Sequence, residues 1–234
     1  MSDSYPKVHK SSLSVIASNY SLRCDAKQAD LETLALIERV VNEDHFFLSE
    51  LLPMPFVKGI QPNYLDQPND DSIPVVNTLS IQRLSLNEAD CRHITREDFE
   101  KIGMERRLRK YDVLLTVDGG VSIGKPYLFD REGDFTMDSH VVVLRPQGIA
   151  ALSLVYLLAS PLGQAQFRKA ESGASGQTTV TEDDVRRFVF PRRILSDIDE
   201  LCEAAEKKRQ EILAERAALD EREQRIWQDI EILS

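Results

Sequence analysis

The sequence is poor in the residues that build disulfide-stapled, fibrous or membrane-embedded proteins. It contains only 3 cysteines, 10 glycines and 10 prolines in 234 residues. Cys24, Cys91 and Cys202 are far apart, form no CxxC pair and follow no signal-like start, so we expect a reducing cytoplasm and no disulfide framework. The longest apolar stretch, 149–159, contains Ser153 and is far shorter than the roughly 20 residues of a membrane span. We therefore expect a soluble chain.

The composition is that of a folded protein with an acidic balance. Apolar residues make up 42% and charged residues 29%, which excludes wholesale disorder. Asp and Glu number 39 against 29 Lys and Arg, so the formal net charge is −10. An acidic surface repels a nucleic-acid duplex, and the total alone therefore argues against DNA binding. The basic residues are unevenly distributed, however, so local clusters can carry the opposite sign.

The C-terminal part of the sequence predicts one long helix. Residues 194–232 contain no Gly and no Pro and consist mostly of residues that favour helices. At about 1.5 Å per residue such a helix is roughly 58 Å long, so much of it must project from a small domain. Apolar residues recur in it at the seven-residue spacing of a coiled-coil interface. They are Ile198, Ala205, Ile212, Leu219, Ile226 and Leu233.

The companion row of this helix interface is weaker. Leu201 and Cys202 occupy it in the first heptad and Ile230 in the last, but charged residues such as Arg209 and Glu215 stand between them. Two interpretations stay open, a solvated helix with a narrow apolar row, or a helix that pairs with another helix in this or another chain. We expect the row to pair.

The sequence before the long helix predicts a mixed α/β globular domain. Pro191 ends this part, so we divide the chain into a domain at 1–190 and a helix at 191–234. Residues 1–20, rich in Ser and Lys, are expected to be loosely anchored. The periodicity predicts helices at 30–42, 96–102, 149–160 and 163–169, and strands at 73–83, 112–117, 123–129 and 139–144.

A glycine-rich segment imitates a nucleotide-binding loop. Residues 119–125 read GGVSIGK and satisfy the GxxxxGK pattern. That pattern continues with Ser or Thr and then a helix, whereas here Pro126 and a strand-like segment follow. We therefore predict a glycine-bearing turn between two strands and no nucleotide site.

No catalytic or metal-binding constellation is recognisable. The four histidines, His140 among them, are tens of residues apart and lack the spacing of metal ligands, so each is interpreted as a surface or satisfied residue. Asp112, Asp118 and Lys125 match a nuclease cluster only by loose spacing. We expect no catalytic residue, no metal site and no cofactor in this chain, with a small nuclease as a minor alternative.

Clusters of basic residues point to phosphate contacts. Six basic residues stand against three acidic ones across 101–126, and four arginines flank the end of the globular part. Such residues often only solvate a surface, but if they contact DNA they position phosphates and do not read sequence. The phosphate candidates are Arg106, Arg107, Arg109, Lys110 and Lys125.

Base reading needs side chains with paired donors and acceptors on adaptable loops, and three segments supply them. They lie around 58–64, 77–83 and 172–179. The base-reading candidates are Lys58, Gln61, Asn63, Tyr64, Thr78, Ser80, Gln82, Arg83, Ser175, Gln177 and Thr178. Polar loops are common, so none of these segments is specific alone.

Taken in order, these segments resemble the DNA-specificity subunit of type I restriction-modification systems. The likeness begins with a Gly-x-x-Pro-x-Tyr loop at 59–64, the strand at 73–77 and Tyr-Asp-Val-Leu-Leu-Thr at 111–116. It continues with the glycine turn at 119–125, the segment 139–146 and Gly-Ala-Ser-Gly-Gln-Thr-Thr-Val at 173–180, which leads to Val-Phe-Pro and the long helix. Each motif is weak alone, but their order and spacing over about 55–232 are fairly specific.

The resemblance implies a role in a DNA-modifying complex. A member of this family is not itself catalytic; its target-recognition domain reads one half of a bipartite site, and its helix packs against another helix. It positions adenine methyltransferase subunits, which use S-adenosylmethionine, and often a nuclease-translocase subunit that uses ATP and magnesium. The implied partners are double-stranded DNA, a methyltransferase subunit and, in some systems, a restriction subunit, in a prokaryotic cytoplasm and without a membrane.

Two departures from the family pattern bear on assembly and on local structure. The family subunit usually carries two recognition domains and two helices, whereas this sequence shows one of each. The resemblance therefore implies a half-length form that pairs with a second copy or with a different half-subunit. The family usually has Gly before the Asp at 112 and a Glu-Gln pair at the helix entry, where this chain has Tyr111 and the pair Arg192 and Arg193.

A competing interpretation needs no DNA. A non-catalytic adaptor, whose helix recruits a partner and whose α/β domain binds protein or peptide, suits the acidic composition equally well.

Overall fold

The structure is a computed structural model that describes residues 30–171 and 178–231. Three expectations fall outside the described residues, namely the loose anchoring of 1–20, the base-reading role of Ser175 and Gln177, and the interface position of Leu233. The helices are α1 (Leu31–Val41), α2 (Arg96–Glu100), α3 (Ala151–Ala159), α4 (Pro161–Ala170), α5 (Glu182–Arg186) and α6 (Ile198–Glu231).

Short strands form the framework of the domain. They are β1 (His45–Phe47), β2 (Val57–Lys58), β3 (Ile73–Val76), β4 (Ile81–Gln82), β5 (Ser85–Leu86), β6 (Arg92–Ile94), β7 (Val113–Thr116), β8 (Pro126–Leu128), β9 (Thr136–Met137), β10 (Val141–Leu144) and β11 (Val189–Pro191). The central sheet has the order β2-β10-β7-β8 and is antiparallel throughout. A second sheet, β6-β3-β9, pairs β3 antiparallel with β6 and parallel with β9. The pairs β4-β5 and β1-β11 complete the framework.

The two middle strands of the central sheet are buried on both faces. Every residue of β7 and β10 is buried, which explains why VLLT and VVVL are nearly continuous apolar runs. Alternate side chains point to opposite faces. Val113 and Leu115 pack in the cluster that holds Leu154 of α3, whereas Leu114 packs in a second cluster with Met137. The sheet therefore separates two apolar cores.

The glycine turn predicted at 119–125 is confirmed. A 3-10 turn, Gly120–Ser122, lies between β7 and β8, and Gly119, Gly120 and Gly124 have φ values of 105°, 60° and 77°. A Cβ at Gly124 would lie 2.8 Å from the ring of Phe167. The glycines therefore serve a tight turn and close packing against α4.

The strand predicted at 73–83 is wrong in its length, because it is two strands separated by a turn. β3 ends at Val76 and β4 begins at Ile81. The side chain of Asn77 accepts hydrogen bonds from the backbone N–H groups of Leu79 and Ser80, which bends the chain between the strands.

Tyr111 occupies a backbone conformation that favours glycine. Its φ is 73°, its N–H donates to the carbonyl oxygen of Phe129 at 2.7 Å, and its side chain is exposed. Left-handed geometry costs a residue with a Cβ about 1–2 kcal/mol. The turn at Tyr111 therefore carries local strain.

The arginines near the helix entry are tied to their own domain. Arg192 pairs with Glu50 at 3.1 Å and donates to the carbonyl oxygen of His45 at 3.0 Å. Arg193 pairs with Glu43 at 3.2 Å. The predicted division at residues 190 and 191 falls inside β11, which pairs with β1.

The long helix begins at Ile198, after a 3-10 turn at Arg192–Ser196, and not at 194. Ile198 and Cys202 are buried in the cluster that contains α3. Ile198 therefore packs against a helix of its own domain, and its side chain is not available to a helix of another chain. Asp199 Oδ1 accepts from the backbone N–H of Ala150 at 3.0 Å and from Ser153 Oγ at 2.5 Å, which anchors the helix to α3.

Tyr156 Oη of α3 donates to Glu206 Oε2 at 2.8 Å, and beyond Arg209 the helix leaves the domain. Its 34 residues span about 51 Å. Ile212, Leu219 and Ile226 are exposed along it. The predicted fold class, a mixed α/β domain followed by one long C-terminal helix, is confirmed. Among the described residues, none of the helices combines the length and the apolar character that crossing a membrane requires.

Candidate nucleic-acid interface

Five chain segments meet at one edge of the two sheets, and we call this surface the loop edge. The segments are 58–61, 77–80, 118–122, 138–140 and 178–179. Backbone hydrogen bonds join them: Gly59 N–H donates to Val141 O at 3.1 Å, Asp138 N–H to Val76 O at 2.9 Å, and Gly119 N–H to Thr178 O at 3.2 Å. Four of the segments adjoin strands, and the fifth, 178–179, is joined to Asp118 by an isolated bridge at Thr179, so the sheets fix where the side chains lie.

Gly59 sets the position of the first segment. A Cβ at this residue would lie 2.0 Å from the carbonyl oxygen of Asp138 and 2.5 Å from that of Met137. Only glycine lets the chain approach the neighbouring backbone so closely, and Ile60 N–H then donates to Met137 O at 3.3 Å.

The second segment is a turn held by its own side chains. Ser80 Oγ donates to Asn77 O at 2.9 Å and accepts from Asn77 N–H at 2.9 Å. Asn77 Nδ2 donates to Asp90 O at 2.9 Å. Ser80 is fully buried. The hydroxyl of Ser80 therefore holds the turn and is not presented to solvent, so the structure does not place it for base reading. Thr78 is half-buried at the loop edge.

A charged trio lies at the centre of the loop edge. Lys58 Nζ is 3.4 Å and His140 Nδ1 is 3.6 Å from the same carboxylate oxygen, Asp118 Oδ2. The side chains of Lys58 and His140 are 58% and 48% exposed, whereas that of Asp118 is 21% exposed. The trio thus presents hydrogen-bond donors to solvent, with the acid behind them.

Asp138 lies behind this trio and is buried. Burial raises the pKa of its carboxyl group, and the charge of Asp118 raises it further, while the hydrogen bond from the His140 N–H at 2.9 Å opposes the shift. Ser139 Oγ beside it donates to Gln61 Oε1 at 3.2 Å, which orients that amide. The loop edge therefore offers an oriented amide next to the charged trio.

Two basic candidates lie at the loop edge. Lys125 Nζ is 3.5 Å from Ser122 Oγ, and Arg106 Nε donates to Lys58 O at 3.1 Å. Arg106 also pairs with Glu105 at 2.9 Å. Arg106, Gln61 and Asn63 line a groove of about 310 Å³ between the first segment and α2.

The remaining basic candidates lie elsewhere. Arg107 stacks on Phe99 and donates to the carbonyl oxygens of Phe99, Glu100 and Ile102, so it caps the end of α2. Its guanidinium is therefore engaged within the domain, and a phosphate contact by Arg107 stays a prediction. Arg109 and Lys110 precede β7 and lie at the end of that strand opposite Asp118. The structure does not bring these two residues to the loop edge.

The other polar candidates are divided between packing and exposure. Tyr64 is half-buried under the guanidinium of Arg92, which is 3.7 Å from the ring centroid, and burial raises the pKa of its phenol. Gln82 and Arg83 are exposed on the β4-β5 hairpin. Thr178 Oγ1 donates to Glu171 Oε1 at 2.5 Å, so its hydroxyl is engaged within the chain.

The nuclease alternative is not supported by the geometry. Asp112 is buried and accepts two hydrogen bonds from Arg145, at 2.8 Å and 3.0 Å. It lies at the opposite end of β7 from Asp118, so the three loosely spaced residues are not assembled. Within 30–171 and 178–231, no group of three or more His, Cys, Asp and Glu side chains could hold a metal ion.

Sequence reasoning missed the pairing of Asp118 with His140 and the stacked Arg92. The sequence predicts only that His140 is a surface or satisfied residue, although it directly precedes a strand that is buried on both faces. Polar residues at the ends of such strands are a usable signal, because the sheet brings strand ends together at one edge.

The comparison of structures finds similar folds among restriction-modification proteins. The S subunit of a type I system from M. genitalium matches with a TM-score of 0.48 and 12% identity, over 73% of this chain and 40% of that one. The HsdS subunit from Thermoanaerobacter tengcongensis matches at 0.49 and 15%, over 81% and 45%. The type IIG restriction endonuclease BpuSI matches at 0.50 and 10%, over 74% and 28%.

These likenesses concern the fold. The chain spans half or less of the length of each of these solved structures. The type I specificity subunit that the sequence motifs resemble is among the similar folds. No protein-family model and no curated protein sequence matches the chain. A shared fold does not by itself define what a protein binds, so function must be argued from the loop edge.

Proposed function

We propose that this chain is the non-catalytic DNA-recognition subunit of a restriction-modification complex and reads one half-site through its loop edge. The observation that carries the proposal is the convergence of five separate chain segments on one surface. Lys58, Gln61, Thr78 and His140 lie there on backbone that hydrogen bonds hold in place. Side chains with both donors and acceptors on a rigid frame are what direct readout of base edges requires.

The charge of the loop edge suits a weak contact with DNA phosphates. Lys58, Arg106 and Lys125 supply positive charge there, although the chain as a whole carries −10. Asp118 compensates part of this charge. We therefore expect weak DNA binding by the isolated chain and much tighter binding by the complex, in which a methyltransferase partner contributes further phosphate contacts.

The proposed complex includes an adenine methyltransferase subunit and, in some systems, a restriction subunit, in a prokaryotic cytoplasm. S-adenosylmethionine, and ATP with magnesium where a nuclease is present, would belong to those partners and not to this chain. The exposed row of α6 supports pairing with a second long helix. Ile212, Leu219 and Ile226 are 51%, 58% and 59% exposed, and apolar side chains in one row lose contact with water when two helices pack.

The first experiment is purification of the tagged full chain from its native host, followed by mass spectrometry of the associated proteins. Recovery of an adenine methyltransferase supports the proposal. Recovery of unrelated proteins alone favours the adaptor interpretation.

DNA binding of the purified assembly then separates the loop edge from the other basic residues. Lys58→Ala should weaken binding and reduce the slope of log affinity against log salt by about 1. Lys110→Ala is the matched control, because Lys110 lies at the other end of β7 and pairs with Glu132 at 2.5 Å. Equal effects of the two substitutions would contradict the proposed surface.

A further inference from the structure

Leu79 is the most exposed large apolar side chain of the described residues. It is 72% exposed and follows Thr78 at the tip of the 77–80 turn, in the loop edge. Single exposed leucines are common on protein surfaces, so exposure alone would mean little. What distinguishes Leu79 is the construction of the turn that carries it.

The turn holds Leu79 outward and leaves it little freedom to fold back. The Leu79 N–H donates to Asn77 Oδ1 at 2.8 Å, and the Ser80 N–H donates to the same oxygen at 3.0 Å. The Asn87 N–H donates to Ser80 O at 2.9 Å, which ties the turn to the β4-β5 hairpin. The backbone is fixed on both sides of Leu79 and therefore holds its isobutyl group in solvent, where the side chain adds little to the stability of the fold.

The residues next to Leu79 belong to an exposed part of the loop edge. The adjacent Thr78 methyl group lies 3.8 Å from where a Cβ of Gly119 would stand, and Gly119 itself is exposed and has no side chain. Lys58 and His140 flank the same edge with hydrogen-bond donors. An apolar group among donors and acceptors matches the pattern of a major-groove edge, where the thymine methyl group is the one apolar feature.

We infer that Leu79 is a specificity-determining residue that packs against the 5-methyl group of a thymine in the DNA half-site. This inference rests on the proposed function and adds a base preference to it. The isobutyl group removes the methyl group from water when the loop edge enters the major groove. Burial of one methyl group corresponds to about a four-fold change in affinity.

The first test is sequence selection by the assembly purified through the tagged full chain. A duplex library with a randomised segment is selected with the wild type, with Leu79→Ala and with Leu31→Ala as the matched control. Leu31 is an exposed leucine on α1, outside the loop edge. We expect Leu79→Ala to lose the preference for an A·T pair at one position and to keep the other positions. The control should select the wild-type sequence.

The second test removes the methyl group from the DNA. At the selected position, deoxyuridine in place of thymidine should weaken wild-type binding about four-fold and leave Leu79→Ala unaffected. Equal effects of deoxyuridine on both proteins would overturn the inference. The inference is also overturned if Leu79→Ala binds every sequence more weakly and the loss does not depend on the thymine methyl group. That result would indicate that Leu79 inserts between base pairs.

The two proposals fail in different ways. A wild-type assembly that selects no sequence overturns the proposed function, and this inference with it. If the wild-type assembly selects a sequence and Leu79→Ala selects the same sequence, only the role of Leu79 is overturned. Because Leu79 is so exposed, the alanine variant should fold normally, and its melting temperature should equal that of the wild type.

Discussion

Gly59→Ala should displace the first segment of the loop edge while the rest of the domain stays folded. The added Cβ would lie 2.0 Å from the carbonyl oxygen of Asp138, which is backbone of the second sheet and cannot rotate away. The segment must therefore move outward and give up two hydrogen bonds, Gly59 N–H to Val141 O and Ile60 N–H to Met137 O. At about 1 kcal/mol for each net hydrogen bond, the loss in the free energy of unfolding is about 2 kcal/mol.

Thermal unfolding measures this loss. For a chain of this size, about 2 kcal/mol corresponds to a melting temperature lower by roughly 4–8 °C. Amide hydrogen exchange should show lost protection at Ile60, and sequence-specific DNA binding by the assembly should disappear because Lys58 and Gln61 move with the segment.

Gly103→Ala is the matched control for Gly59→Ala. Its added Cβ would meet only the carboxylate end of Glu105, which is a flexible side chain that can move aside. We expect a change in stability within about 0.5 kcal/mol. Because Glu105 pairs with Arg106 at 2.9 Å, Gly103→Ala serves as a control for stability only. The reasoning is refuted if Gly59→Ala has the same melting temperature as the Gly103→Ala control and binds DNA with the affinity of the wild type.

Two further predictions concern the long helix and the buried acid. Ile212→Asp should dissociate the paired helix because it places a charge in the apolar row. Ala214→Asp, on the opposite face of the helix, should leave the pairing intact. If light scattering gives the same assembly mass for both variants, the helix does not pair through this row. Asp138→Asn should raise the melting temperature at pH 7, with no difference below the ordinary pKa of 3.8. The sign follows from the raised folded-state pKa, since such a group lowers stability as pH rises above its unfolded pKa. Asparagine retains an acceptor for the His140 N–H, so an unchanged pH profile would contradict the shift.

The parts of the fold that the sequence predicts are those governed by local pattern. The apolar runs of β7 and β10 and the glycine turn between β7 and β8 each carry their signal within a few residues. The heptad row is also local, but its period is the same whether a residue faces its own core or a partner helix. For this reason Ile198 could not be separated from Ile212 before the packing of α6 on α3 was known.

The candidate site depends on contacts between distant residues. In the sequence, Arg107 cannot be distinguished from the neighbouring arginines. Only the position of α2 shows that its guanidinium donates to backbone carbonyl oxygens of that helix. Ser80 stands in a polar segment of the kind that predicts base reading, yet its hydroxyl holds the turn. The pairing of Lys58 with Asp118 joins residues that are 60 positions apart, so no local pattern could indicate it.

Substitutions in the strands that are buried on both faces affect stability, whereas substitutions in the exposed turns affect only the surface of the loop edge. Substitutions in β7 or β10 disturb two cores at once, so they are costly to stability. Gln61 and Leu79 are exposed, and the geometry of their segments depends on Gly59, Asn77 and Ser80 instead. Under the proposed function, a lineage of such proteins could therefore change its DNA target by exchanging a few tip residues, while the same framework is inherited unchanged.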